Sequence, residues 1–329
     1  MILAGDIGGT KTVLALFERE RLGLRMRVAA PFESRRHASF EELVERFLRE
    51  HARDAPSSAC FGVAGPVVNG VCQITNLPWH LDESALRQVT RAPRIKLVND
   101  VEAMAYGLLF VPASGFHVLQ PGTQRPGNIA VIAAGTGLGE ALLYWDGTRH
   151  HPIASEAGHA DFAPRSELEI ELLRHLSVEL GGHVSYERLL SGPGLARIHA
   201  FLRARAGASA APDPPNAPSD AAAAISEAAL TGGYPLARQA LELFVSIYGA
   251  EAGNCALRCA AYGGVLVSGG IAAKILPAVC DGTFLGSFSD KGRMKELLRS
   301  LRVAISLEPF GALIGAAHIA RELSPEAEP

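Results

Sequence analysis

No run of apolar residues in this chain reaches the ~18 to 20 needed to cross a bilayer as a helix, so a membrane protein of that kind is not expected. A strand-like run begins at Ile2, which leaves no room for a secretory leader, and a cytoplasmic protein is the simplest expectation. Neither sign of charge dominates. The 31 Lys and Arg against 34 Asp and Glu give a net charge of −3, without the basic footprint that nucleic acid requires. Cysteine is scarce. Cys60, Cys72, Cys255, Cys259 and Cys280 are odd in number and form no Cys-x-x-Cys pair, so a zinc site lacks ligands. Cys255 and Cys259 stand at helical spacing in an Ala-rich stretch and read as packing residues; no structural metal is expected.

The two commonest phosphate motifs are missing as well. Neither Gly-x-x-x-x-Gly-Lys-Ser/Thr nor Gly-x-Gly-x-x-Gly occurs between a strand and a helix. The chain has instead two strand pairs hinged on glycine: Ile2 to Phe17 around Gly5-Asp6-Ile7-Gly8-Gly9-Thr10, and Ile129 to Tyr144 around Gly135-Thr136-Gly137-Leu138-Gly139. Val, Ile and Leu on both flanks favour strands. Glycines permit close backbone approach to a ligand, and successive N–H groups in such turns form a concavity for phosphate oxygens. A duplicated unit of this kind points to a clamp on a polyphosphate.

With 48% hydrophobic and 20% charged residues over 329 positions, the chain reads as a soluble globular protein of two domains. Helices are expected at 40–51 with Ser39 as N-cap, 82–89, 102–110, 167–176, 186–205, 235–261 and 311–322, and strands at 59–63, 94–98, 116–119 and 263–268. Strands alternating with helices give an α/β fold with a partly parallel sheet, whose ligands sit beyond the carboxyl ends of strands. The expected domains are 1–111, completed by the helix 311–322, and 112–310. Ala206 to Ala217 reads as a surface loop and 323–329 as a frayed tail.

Asn99-Asp100, delivered at the end of the strand 94–98, is the sharpest candidate for acid–base chemistry. A carboxylate there can take the proton of an attacking hydroxyl, while the amide can donate to and accept from a polyol. Asp100 could equally cap the helix that follows. Glu156 and His159, with Glu187 further along and the Thr75-Asn76-Leu77-Pro78-Trp79 loop, supply the mixed donors and acceptors that sugar hydroxyls need.

Together these segments, with Val63-Ala64-Gly65-Pro66, Glu156-Ala157-Gly158-His159, Tyr186 to Gly194 and Ser268-Gly269-Gly270, resemble the bacterial glucokinase family of the hexokinase, actin and Hsp70 ATPase superfamily, in order from residue 2 to about 321. The resemblance implies a two-domain actin-like ATPase (ribonuclease H-like) fold with a cleft between the domains, and ATP-dependent phosphorylation of glucose. It implies Asp100 as base and Asn76, Asn99, Asp100, Glu156, His159 and Glu187 as sugar ligands. It also implies Gly5, Asp6, Ile7, Gly8, Gly9, Thr10, Gly135, Thr136, Gly137, Gly269 and Gly270 as nucleotide contacts, with Mg²⁺ near Asp6, directly or through water, and a homodimer.

Two segments depart from the pattern. Lys11-Thr12 is more like the related ROK sugar kinases and repressors, whose Cys-rich zinc motif is absent from Ala160 to Glu179, and Glu308 to Gly315 lacks the usual polar turn. A kinase for another hexose or an amino sugar remains an alternative, as do a sugar-sensing repressor and an actin-like assembly ATPase. A repressor would need a DNA-binding module ahead of Ile2, and an assembly ATPase would not need Glu156, His159 and Glu187.

Overall fold

Apolar residues fill both faces of Ile2–Ile7 and Ser58–Val63, so these strands can sit only where a sheet is covered on both sides. The computed structural model describes residues 1–21, 23–74, 77–207 and 221–324. The Thr75-Asn76 pair, the Ala206 to Ala217 stretch beyond Gly207, and the tail after Ser324 lie outside the described residues. In chain order the elements are β1 (Ile2–Ile7), β2 (Lys11–Glu20), β3 (Gly23–Glu33), α1 (Phe40–His51), β4 (Ser58–Val63), β5 (Val71–Gln73), β6 (His80–Asp82), α2 (Glu83–Thr90), β7 (Ile95–Asn99) and α3 (Asp100–Gly107). There follow β8 (Phe116–Gln120), β9 (Ile129–Ala134), β10 (Leu138–Trp145), β11 (His150–Ser155), α4 (Glu167–Leu180), α5 (Gly192–Ala206), α6 (Ala221–Thr231) and α7 (Pro235–Arg258). The chain ends through β12 (Gly264–Ser268), the short helices α8 (Gly270–Lys274), α9 (Leu276–Val279), α10 (Thr283–Ser289) and α11 (Lys295–Ser300), then β13 (Val303–Ser306) and α12 (Gly311–Leu323).

The first unit comprises Met1–Pro112 and the chain from Phe310 onward. Its sheet has the order β3-β2-β1-β4-β7, with β1, β4 and β7 mutually parallel. Phe40, Leu43, Val44 and Phe47 of α1, which Ser39 caps by accepting the Glu42 N–H, cover one face together with Leu3, Ile7 and Phe61. Ala103 and Tyr106 of α3 and Leu313, Ala316, Ala317 and Ala320 of α12 cover the other.

α3 and α12 cross through glycine. A Cβ on Gly107 would lie 1.9 Å from the Gly311 carbonyl oxygen, and one on Gly315 would lie 1.7 Å from that of Ala103. The Glu308 to Gly315 segment, which departs from the family's polar turn, therefore supplies the small residues that let α12 close the sheet.

The second unit, Ala113–Pro309, repeats the plan. Its sheet runs β11-β10-β9-β12-β13-β8, again an antiparallel meander followed by two parallel strands, with β8 added antiparallel at the edge. Both sheets thus carry the ribonuclease H-like order, and the glycine turns occupy equivalent places after β1 and β9. α7 is buried along most of its length, with Phe244 and Tyr248 packed among Ile132, Ile198, Val267 and Phe284. Among the described residues no helix is long and apolar enough to cross a membrane.

Three sequence expectations are corrected. The helix expected at 186–205 is a 3-10 turn at Tyr186–Arg188 followed by α5, because Pro193 fits only the first turn of a helix and Ser191 caps it by accepting the Gly194 N–H. The cap of α3 is Asn99, not Asp100. Asn99 is extended and its Oδ1 accepts from Val101 N and Glu102 N, whereas Asp100 is already helical. α6, absent from the sequence reading, forms from an Ala-rich run with little amphipathic pattern.

The α3–α12 crossing makes a direct prediction. Gly315→Ala must displace backbone and is expected to destabilise the protein by ~3 kcal/mol or more, beyond ordinary overpacking. Gly286→Ala in α10, where a Cβ meets nothing within 4 Å, should instead stabilise by about 0.5–1 kcal/mol. Urea unfolding of both variants checks the pair.

Candidate functional site

In the first unit the candidate residues gather at the carboxyl ends of β1, β4 and β7. Asp6 pairs with Gly62 across the sheet, and Val63 pairs with Asn99. Gly62 permits this: a Cβ there would lie 3.1 Å from that of Ala103 and 3.4 Å from the Asp100 Cα, so α3 starts close against β4. Asn99 uses its amide oxygen on the helix cap and its NH₂ on the Gly65 carbonyl at 3.4 Å. Asp100 is half-buried, and its Oδ1 accepts the Val101 N–H at 2.9 Å.

Asp6 is different. Burial pushes its carboxyl up to about 6, against the pull of Lys11. The turn beyond it is held by Gly8 N–H to Lys11 O at 3.0 Å, and the Thr10 side chain is exposed. Asn76 lies outside the described residues. Its loop is flanked by buried Ile74 and Trp79, whose ring N–H donates to His37 O.

In the second unit the turn after β9 is held by Gly135 N–H to Gly137 O at 2.8 Å and by Gly192 N–H to Gly135 O at 2.9 Å. Gly269, at φ +84°, packs where a Cβ would meet the Ala134 carbonyl oxygen at 2.3 Å, so the Gly269-Gly270 turn lies against the end of β9. Tyr248 fastens the two, accepting the Ala134 N–H and donating to Ser268 O.

Glu156, His159 and Glu187 come together beside this turn. His159 Nε2 lies 3.8 Å from Glu156 Oε2, and its Nδ1 lies 3.9 Å from Glu187 Oε1. Glu187 Oε2 accepts the Leu138 N–H at 3.2 Å, in the space that a Cβ on Gly137 would need. Gly158 likewise fits only as glycine, since a Cβ there would lie 2.1 Å from the Leu138 carbonyl oxygen. One carboxylate therefore touches both the phosphate-type turn and the imidazole. The tight 3-10 turn at Tyr186–Arg188, unseen in the sequence, is what carries it.

Behind β10 lies a cluster that the sequence did not disclose. Glu140 and Glu251 are buried with Cys255, whose S–H donates to Glu140 Oε2 at 2.9 Å. Their ligand atoms come within 4.8 Å of one another, and the cation among them is Arg258, bonded to both carboxylates. Cys255 is thus a partner in a polar network, not simply an apolar filler. Two carboxylates this close repel each other, and a proton on one relieves that repulsion, with Arg258 between them and Lys291 acting on Glu251 from further off. Burial first, and the Glu251 charge second, push the Glu140 carboxyl up to about 7.

The folded protein therefore holds a proton that the unfolded chain releases near its ordinary value of 4.5. The stabilisation is complete below that value and is lost as pH rises through about 7. Tm should fall between pH 5 and pH 8, and Glu140→Gln should flatten that slope; a slope equal to the parent's would contradict the proton held there.

A family model described as Glucokinase matches residues 3–323. The chain is 41% identical to a glucokinase of Nostoc punctiforme, over 98% of this chain and 99% of the relative. Among solved structures, a glucokinase from an Antarctic psychrotroph superposes with a TM-score of 0.85 at 31% identity, covering 98% of both chains. A ROK family glucokinase from Streptomyces griseus, solved in complex with glucose and AMPPNP, shares the fold with a TM-score of 0.69 at 22% identity, over 98% of this chain and 99% of that one.

Proposed function

This chain belongs to the glucokinase family, and on that premise we propose that it transfers the γ-phosphoryl group of ATP to the 6-hydroxyl of D-glucose with Asp100 as general base. The observation that carries the reading is the Glu156, His159 and Glu187 group built onto the second glycine turn. An ATPase with no sugar substrate has no use for a carboxylate and imidazole set at that place.

In the first unit, Asp100 accepts the proton of the sugar hydroxyl as its oxygen bonds to phosphorus. The bond from phosphorus to the bridging oxygen breaks, and its electron pair leaves with ADP. Asn76 and Asn99 serve as sugar ligands, and Gly5 to Thr10 serve as phosphate contacts. In the second unit, Glu156, His159 and Glu187 read sugar hydroxyls, Gly135 to Gly137 hold phosphate oxygens, and Gly269-Gly270 receive the adenosine.

A hard carboxylate oxygen such as Asp6 suits Mg²⁺, and a divalent cation would favour the ionised form that burial disfavours. Mg²⁺, when bound, supplies neutralisation of phosphate charge. The remaining work is positioning, since phosphoryl transfer asks little covalent chemistry of the protein. We read the enzyme as a cytoplasmic homodimer on family grounds.

Release of ADP from Mg-ATP across a panel of hexoses and amino sugars should be fastest with D-glucose; a faster rate with another sugar would reassign the substrate. Asp100→Asn should lower turnover by ~10²- to 10⁴-fold with glucose binding retained. Near-parental turnover in a folded Asp100→Asn variant would remove Asp100 from the role of base.

A further inference from the structure

We propose that Ser34, assisted by Thr12, is a positioning residue that aims the Gly9 amide of the first glycine turn at phosphate; the inference rests on the phosphate role assigned above to that turn. Ser34 follows β3 and opens a 3-10 turn, and both it and Thr12 are fully buried. A buried hydroxyl must find partners. Ser34 Oγ donates to the Gly8 carbonyl oxygen at 2.8 Å and lies 3.0 Å from Thr12 Oγ1. A hydroxyl has one hydrogen, and that of Ser34 is used on Gly8, so Thr12 is the donor and Ser34 Oγ the acceptor between them. The Ser34 N–H also donates to Thr10 O at 3.0 Å. One residue thus holds two carbonyls of the turn.

The consequence follows from the planarity of the peptide. The chain has no cis bonds among the described residues, and in a trans peptide the C=O and the following N–H point in opposite directions. With the Gly8 carbonyl drawn inward to Ser34, the Gly9 N–H is turned away from the buried side. Were the Gly8 carbonyl released, the peptide could rotate, and a carbonyl oxygen could face a phosphate where a donor is required.

The second unit reaches the same arrangement by other means. Gly135 holds the place after β9 that Gly8 holds after β1, and its carbonyl accepts the Gly192 N–H at 2.9 Å. A backbone donor from the start of α5 does there what a serine hydroxyl does in the first unit. The same carbonyl is held at two equivalent turns by unrelated donors, and this singles out its orientation as the quantity the fold controls. The Lys11-Thr12 pair, unexplained in the sequence, gains a role: Thr12 holds the hydroxyl that holds the turn.

Steady-state kinetics on Ser34→Ala, Thr12→Val, Thr12→Ser and Gly9→Pro test the proposal, with folding checked by circular dichroism and glucose affinity measured without nucleotide. Ser34→Ala should raise KM for ATP tenfold or more, with glucose affinity within twofold of the parent. Thr12→Val, which keeps shape but loses the donor, should show a smaller rise, and Thr12→Ser should restore parental values. Thr12→Val decides the matter if Ser34→Ala does not fold. Should Ser34→Ala keep its KM for ATP while Gly9→Pro, which deletes the amide, raises it, the clamp is overturned and the phosphate reading stands. Unchanged KM for ATP in both would overturn the phosphate reading of the turn together with the clamp.

Discussion

A hairpin proposed to bind phosphate must keep its turn amides out of the sheet ladder without letting the turn wander, and both units hold their glycine turns in that way. Glycine alone allows the close approaches: Gly62 admits α3 beside β4, Gly137 leaves room for Glu187, and Gly269 lies against Ala134. Each turn is then fixed from outside its own hairpin, by Ser34 in the first unit and by Gly192 and Tyr248 in the second. The dense, doubly covered sheets serve as the frame from which these donors reach.

Glu187 links the second turn to the residues proposed to read sugar. Its one oxygen accepts the Leu138 N–H and the other faces His159. Glu187 is half-buried, whereas His159 is exposed. The same carboxylate would feel a change at the phosphate turn through the Leu138 amide. In the proposed function, recognition of sugar and support of the turn are two uses of one side chain. The Glu140, Glu251 and Arg258 network lies beneath the same strand and ties β10 to α7 through the guanidinium.

Much of this was legible in the sequence because it is written in local pattern. β1, β2, β9 and β10 showed as apolar runs, the turns as glycine clusters, and α1 as a regular stripe with Ser39 before it. What escaped is non-local. Ser34 bonds to Gly8 across 26 positions, and no motif surrounds it. Glu140 and Glu251 are more than a hundred positions apart, and each alone reads as an ordinary carboxylate. The break before α5 was readable in Pro193, but the apolar run of Leu189 and Leu190 masked it. Asn99 outcompeted Asp100 as cap because the extended residue before the first helical one does the capping, a distinction of one position that periodicity does not resolve.

The central claim, that the two equivalent turns present their amides to nucleotide phosphate, is tested most directly by amide NMR on the selectively labelled protein. On addition of Mg²⁺ and a non-hydrolysable ATP analogue, the Gly9 and Thr136 N–H resonances should shift downfield and become protected from exchange, while amides inside β1 and β9 stay in place. Saturable binding of the analogue with both turn amides unmoved would contradict the account.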